Sequence, residues 1–162
     1  MASKIRTFQA RIAALLLADT THFVAAPAPE GDLRVPVIVD LPGDIENIVN
    51  QALAATGIAC IVWTPRRAPK GEQRAKNRRY VCMVWVKENV LLNRGNVGAQ
   101  TAEEIAELVD ELCDGKANGL TPYPTGNLGR IDLGEAGVAP IGGAEAQDND
   151  FEITLETEAL LR

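Results

Sequence analysis

Apolar residues recur with helical spacing in three segments of this chain. In the first, Ile5, Phe8, Ile12, Leu15 and Leu16 fall three or four apart, with Lys4, Arg6, Gln9 and Arg11 elsewhere. In the second, Ile45, Ile48, Val49 and Leu53 form a stripe, with Asp44 placed as an N-cap and Gly57 as a C-cap. The third opens on Thr101-Ala-Glu-Glu104, a capping box, and carries Ile105, Leu108, Val109 and Leu112 on one face before Gly115 closes it.

Strand patterns fall between and after these helices. Residues 58–63 and 80–87 are rich in β-branched and aromatic types and apolar on both alternating faces. Such strands lie centrally in a sheet, or have their second face covered by a partner. Phe151, Ile153 and Leu155 alternate with Glu152, Thr154 and Glu156, the pattern of a half-buried strand. Arg130–Leu133 and Val35–Val39 are weaker strand segments, and Pro36 predicts an edge position for the second. Residues 24–34, 114–129 and 134–149 read as loop, rich in Gly, Pro or Ala. The predicted fold is α+β in a single domain, 1–162. It has a mostly antiparallel mixed sheet, helices packed on one face, a long basic hairpin arm (64–79) and an acidic, loop-rich C-terminal region (115–162).

Charge sharpens this picture. Between the two central strands, residues 64–79 hold seven Lys/Arg against one Glu, a local charge of +6. The whole chain carries −6, which leaves −12 for the rest. From Asp132 to Leu161 there are eight Asp/Glu and no Lys or Arg. Hairpin loops usually span about two to five residues, and longer ones tend to be functional or disordered. If the strands continue into the segment, each leg projects about 25 Å at ~3.4 Å per residue. Segregated charge of this kind points to an anionic partner for the arm, either nucleic acid or the acidic flank of another copy. The segment contains no aromatic residue and the pI is near 4.8, which argues against a dedicated nucleic-acid binder. A head-to-tail contact between copies closes a ring when the rotation allows.

Length and remaining chemistry set the bounds. A chain of 162 residues suits one domain that buries roughly two thirds of its unfolded surface. The longest apolar stretch, Ile12–Ala18, is too short for a membrane span and lacks a cleavage pattern after it. Cys60, Cys82 and Cys113 sit inside apolar segments and read as buried reduced thiols of a cytoplasmic product. His22, in a Thr-Thr-His-Phe context, has no serine near it and reads as a loop or capping histidine. The cysteines and single histidine have no zinc-ligand spacing. Gly95-Asn-Val-Gly98 and Gly126-Asn-Leu-Gly129 lack the Lys-Ser/Thr of a phosphate loop. Lys87-Glu88 lacks the second strand carboxylate and following lysine of a metal-dependent nuclease core. The expectation is no catalysis, no cofactor and no metal.

Three stretches, read in order, carry a resemblance. They are Val35–Leu53, then Gly57-Ile-Ala-Cys-Ile-Val-Trp-Thr-Pro65, then Val84-Trp-Val-Lys-Glu-Asn-Val-Leu-Leu-Asn-Arg94 with the capped helix Thr101–Leu112 behind it. This order resembles tail terminator (tail completion) proteins of long-tailed bacteriophages. Their pattern is a helix, a strand ending near Thr-Pro, a long loop, a strand into Glu-Asn and Asn-Arg, and a helix. The likeness covers roughly residues 35–115 and extends to a similar N-terminal helix. The family pattern would carry Pro where Val90 stands, and the region after Gly115 matches nothing in it.

The resemblance implies a small α/β virion subunit, made in the host cytoplasm and assembled as a hexameric ring on the head-proximal end of the tail tube. It implies as partners the tail tube protein and the head-tail connector or neck, with neither cofactor nor membrane. A neck or head-closure component is the alternative within the virion. A nucleic-acid-binding accessory protein using the arm is the alternative outside it. Candidate contact residues are Arg66, Arg67, Lys70, Arg74, Lys76, Arg78 and Arg79 of the arm, with Trp85, Glu88 and Asn93. Glu88 and Asn93 read as turn-forming or interface groups, or as satisfying local backbone donors. Trp63 and Trp85 read as core or subunit contact. One face of strand 80–87 is expected to pack on helices, and the other against a neighbouring subunit or tail protein.

Overall fold

Each predicted helical stripe folds as a helix. The computed structural model describes residues 3–40, 45–64, 77–95, 98–141 and 149–160. Helix α1 (Lys4–Ala18) starts at Ser3, whose side chain accepts from the Arg6 N–H. Helix α2 (Ile45–Thr56) ends at Gly57, which has φ +78°. A short turn of helix, α3 (Val90–Asn93), follows N-cap Asn89. Helix α4 (Ala102–Cys113) carries the expected capping box: Glu104 N–H donates to Thr101 Oγ1 (3.3 Å) and Thr101 N–H to Glu104 Oε2 (2.8 Å). The Asp44 cap lies outside the described residues.

The strands are β1 (Phe23–Ala25), β2 (Val35–Val39), β3 (Ile58–Trp63), β4 (Asn77–Glu88), β5 (Ile131–Ile141) and β6 (Asp150–Leu160). They form one mixed sheet in the order β1-β2-β3-β4-β6-β5. The first three strands are parallel, and the pairs β3–β4, β4–β6 and β6–β5 are antiparallel. The two runs that are apolar on both faces are thus the central strands. They pair from Ile58↔Glu88 to Trp63↔Met83 as the legs of a hairpin. Residues 65–76, the body of the predicted arm, lie outside the described residues.

Three expectations change. Helices pack on both faces of the sheet. Helices α1 and α4 bury Phe8, Ile12, Leu16, Ile105 and Val109 against Cys60, Val62, Cys82, Val84, Ile153 and Leu155. Helix α2 lies on the opposite face, where Val49 meets Ile38, Ala59 and Ile61. An amphipathic stripe shows that a helix has an inner side; it carries no record of which sheet face receives it.

Strand β2 is interior, because the short β1 pairs outside it. Val35 N–H donates to His22 O and Val37 O accepts from Ala26 N–H, so the odd residues of β2 face β1. Pro36 turns toward β3, where pairing begins only at Val37↔Cys60, and its missing donor falls before that ladder.

The described residues after 130 are largely strand. Strand β5 runs to Ile141, well past the predicted Leu133, through a large bulge. Leu133 pairs with Leu155 and Val138 with Ile153, so residues 134–137 all stand opposite Thr154. A Cβ on Gly134 would lie 2.8 Å from Thr154 Cγ2, so only glycine lets the bulge close there.

Candidate interaction surfaces

At the end of β4 the chain turns through Glu88-Asn89 into α3, and Glu88 is buried (1% exposed). Its Oε1 accepts from Asn93 Nδ2 (2.8 Å), and its Oε2 from Ala102 N–H and Asn149 Nδ2 (both 3.1 Å). Arg94 Nε lies 3.5 Å from Oε1. Asn93, 2% exposed, also donates to Gln100 O (2.7 Å). One carboxylate therefore joins β4, α3, the start of α4 and the approach to β6, with its charge matched by donors. This is the turn-forming arrangement.

Val90 is the first residue of α3, a position where the N–H has no helical acceptor. Gly57 completes the turn. Its carbonyl accepts from Asn89 N–H (2.8 Å), and a Cβ on it would lie 2.5 Å from Asn93 N.

The second surface is the sheet face that carries α2. Trp85 and Trp63 are half-buried against the cluster beneath that helix, across from Ile61 and Met83 respectively. Lys87 Nζ sits 4.5 Å from the Trp85 ring centroid. Both indole Nε1 atoms are buried without a hydrogen-bond partner. Helix α2 packs chiefly on β2 and β3. Beyond it, on this same outer face, lie Asp132, Glu152, Glu156 and Glu158, alternating with core residues on the helix-covered side. Asp132 stands directly across from Glu156. The bulge of β5 adds Glu135, and these groups with Arg79, Asn127 and Thr157 line an open cleft of about 350 Å³. Burial, then Asp114 and more weakly Glu156 and Glu158, push the Asp132 carboxyl above its ordinary range against the opposing pull of Arg130.

Of the predicted contact residues, Arg66, Arg67, Lys70, Arg74 and Lys76 lie outside the described residues. Arg78 and Arg79 are exposed on β4, and Arg79 is ion-paired with Glu156. Trp85 is on the outer face, while Glu88 and Asn93 are interior. The structure therefore brings Arg79 to the acidic cleft and separates it from the buried Glu88–Asn93 turn.

Neither a comparison with protein families nor a search of curated proteins finds a match to this chain.

The remaining titratable groups are structural in placement. His22 Nδ1 lies 2.7 Å from Asp19 Oδ2 in the turn after α1. Burial drives the Cys60 thiol far above its usual range and Cys82 and Cys113 up to about 12, so all three are poor nucleophiles. Among the described residues no helix is long and apolar enough to cross a membrane.

Sequence reasoning missed Gln9. Placed there among the polar positions of α1, it is fully buried. Its Nε2 donates to Val62 O (2.8 Å) and Asp40 O (3.0 Å), and its Oε1 accepts from Arg6 (2.8 Å). It pins α1 across the ends of β2 and β3. Its spacing of four from Ile5 and three from Ile12 was the available signal.

Proposed function

We propose that this chain is a structural virion subunit that forms a ring on the head-proximal end of a phage tail tube, ends tube polymerisation and joins the tail to the head connector. The observation that carries the reading is charge segregation on one fold. A segment of +6 joins β3 and β4 in the sequence, and a carboxylate-lined sheet face lies beside its described end at Arg79. A subunit with a basic segment and an acidic face is suited to head-to-tail closure. The resemblance over residues 35–115 adds support, because its Glu-Asn and Asn-Arg positions form the buried turn at the end of β4. The role is one of assembly, without catalysis or cofactor.

A neck or head-closure component would use the same two surfaces at a different level of the virion. Native mass spectrometry and a tube-capping reaction test the reading together. Six copies are expected, and tubes polymerised from the cognate tube protein should stop growing when the protein is added. A monomer that leaves tube length unchanged would refute the proposal. Salt-sensitive, submicromolar DNA binding by that monomer would favour the nucleic-acid reading instead.

A further inference from the structure

The outer face of β4, β6 and β5 holds like charges where a sheet tolerates them least. Asp132 and Glu156 are direct cross-strand neighbours, and Glu158 follows two residues along on the same face. Like charges placed opposite one another destabilise a sheet pair. Four carboxylates, Asp132, Glu135, Glu156 and Glu158, line the cleft against a single guanidinium, Arg79. Among the described residues no helix residue lines this cleft. Thr154 on the same face is 6% exposed, yet its hydroxyl has no hydrogen-bond partner. Arg79, the cation already present, is itself the last residue of the basic segment.

We propose that this cleft is the docking site for the basic stretch 66–76 of a second copy of this chain, with Asp132, Glu135, Glu156 and Glu158 accepting from its guanidinium and ammonium groups. The proposal rests on the ring reading above and specifies its interface. Charge complementarity selects the occupant, because the same chain carries a +6 segment and a cleft with four carboxylates to one guanidinium. Guanidinium groups suit carboxylates set in pairs, since a planar fork bonds two oxygens at once. Each copy then offers one donor segment and one acceptor face, so contacts repeat around the assembly without a second interface type. Single exposed pairs contribute about 0–1 kcal/mol, so the contact depends on several carboxylates acting together.

Two full-length variants test this. One reverses the face (Asp132→Lys, Glu156→Lys, Glu158→Lys), and the other reverses the segment (Arg66→Glu, Arg67→Glu, Lys70→Glu, Arg74→Glu). Native mass spectrometry, with circular dichroism to confirm folding, should show a ring for the natural chain and a monomer for each variant alone. An equal mixture of the two variants should assemble again, because each reversed segment meets a reversed face. A mixture that stays monomeric places the segment on its own copy or on another partner and overturns the proposal.

If the face-reversed chain fails to fold, the milder pair Glu156→Gln and Glu158→Gln decides. It should weaken assembly about tenfold, and unchanged assembly overturns the proposal. A natural chain that is itself monomeric sinks the ring reading as well. A natural ring whose variants also form rings sinks only the docking site.

Discussion

Replacing Glu88 tests the turn at the end of β4. Glu88→Ala removes an acceptor of three hydrogen bonds and the partner of Arg94, at a site 1% exposed. The Ala102 N–H, on a fully buried residue, is left without an acceptor. Breaking a buried charged contact by deleting one partner costs about 3–5 kcal/mol, and hydrogen bonds to charged groups are worth about 1.5–3 kcal/mol each. The contact with Arg94 adds little, since that side chain is 55% exposed. The expected loss for Glu88→Ala is therefore about 3–5 kcal/mol, and a domain of this size would melt about 10 °C lower.

Glu88→Gln keeps the shape and one acceptor. Whichever way the amide turns, its NH₂ faces donors, either Asn93 and Arg94 or Ala102 and Asn149. A loss of about 1–3 kcal/mol follows. Urea unfolding followed by circular dichroism measures both variants, and a double-mutant cycle with Asn93→Ala should show clear non-additivity. The reasoning is refuted if Glu88→Ala costs less than about 1 kcal/mol, or if Gln and Ala cost the same.

Two further outcomes follow. Gly57→Ala should lower the urea midpoint by the equivalent of at least about 2 kcal/mol, because it adds positive-φ strain to a backbone clash with Asn93; a change within a few tenths would contradict that packing. Asp132 has its folded pKa raised, so the native state holds its proton more tightly than the unfolded chain and stability from this group falls as pH rises through that window. In a monomeric background, where no neighbouring segment reaches the cleft, Asp132→Asn should accordingly raise the melting temperature at pH 7, with the gain disappearing near pH 3, and an equal gain at both pH values would show that charge is not the cause.

The local elements were legible because their signals are local. The capping box at Thr101, the glycine after α2 and the unbroken apolar runs of β3 and β4 each state a backbone preference within a few residues. The missed parts depend on partners distant in the chain. Strand β1 is three residues beside an Ala/Pro-rich stretch and exists by pairing with β2. The Gly, Ala and Pro of residues 134–141 have poor strand propensity, yet β6 supplies the ladder that makes them β5. For the acidic surface, the eight carboxylates were countable, but their convergence needs the Asp132↔Glu156 register and the bulge at Glu135. The interior position of Glu88 likewise follows from α3, α4 and Asn149 closing over it.

Strand β6 has a consequence for how the nascent chain folds. Of the six described strands it is the last in chain order, yet it sits between β4 and β5, with Ile153 and Leu155 fully buried under the helices. Its partner Val84 was synthesised sixty-nine positions before Ile153. Until β6 emerges, β4 presents an open edge and α4 lacks part of the surface it packs on. Such unpaired edges are where partly made chains associate wrongly, and long-range pairing is slow to form. Completion of the sheet is thus tied to the synthesis of β6, and substitutions in β6 should reduce the yield of folded protein.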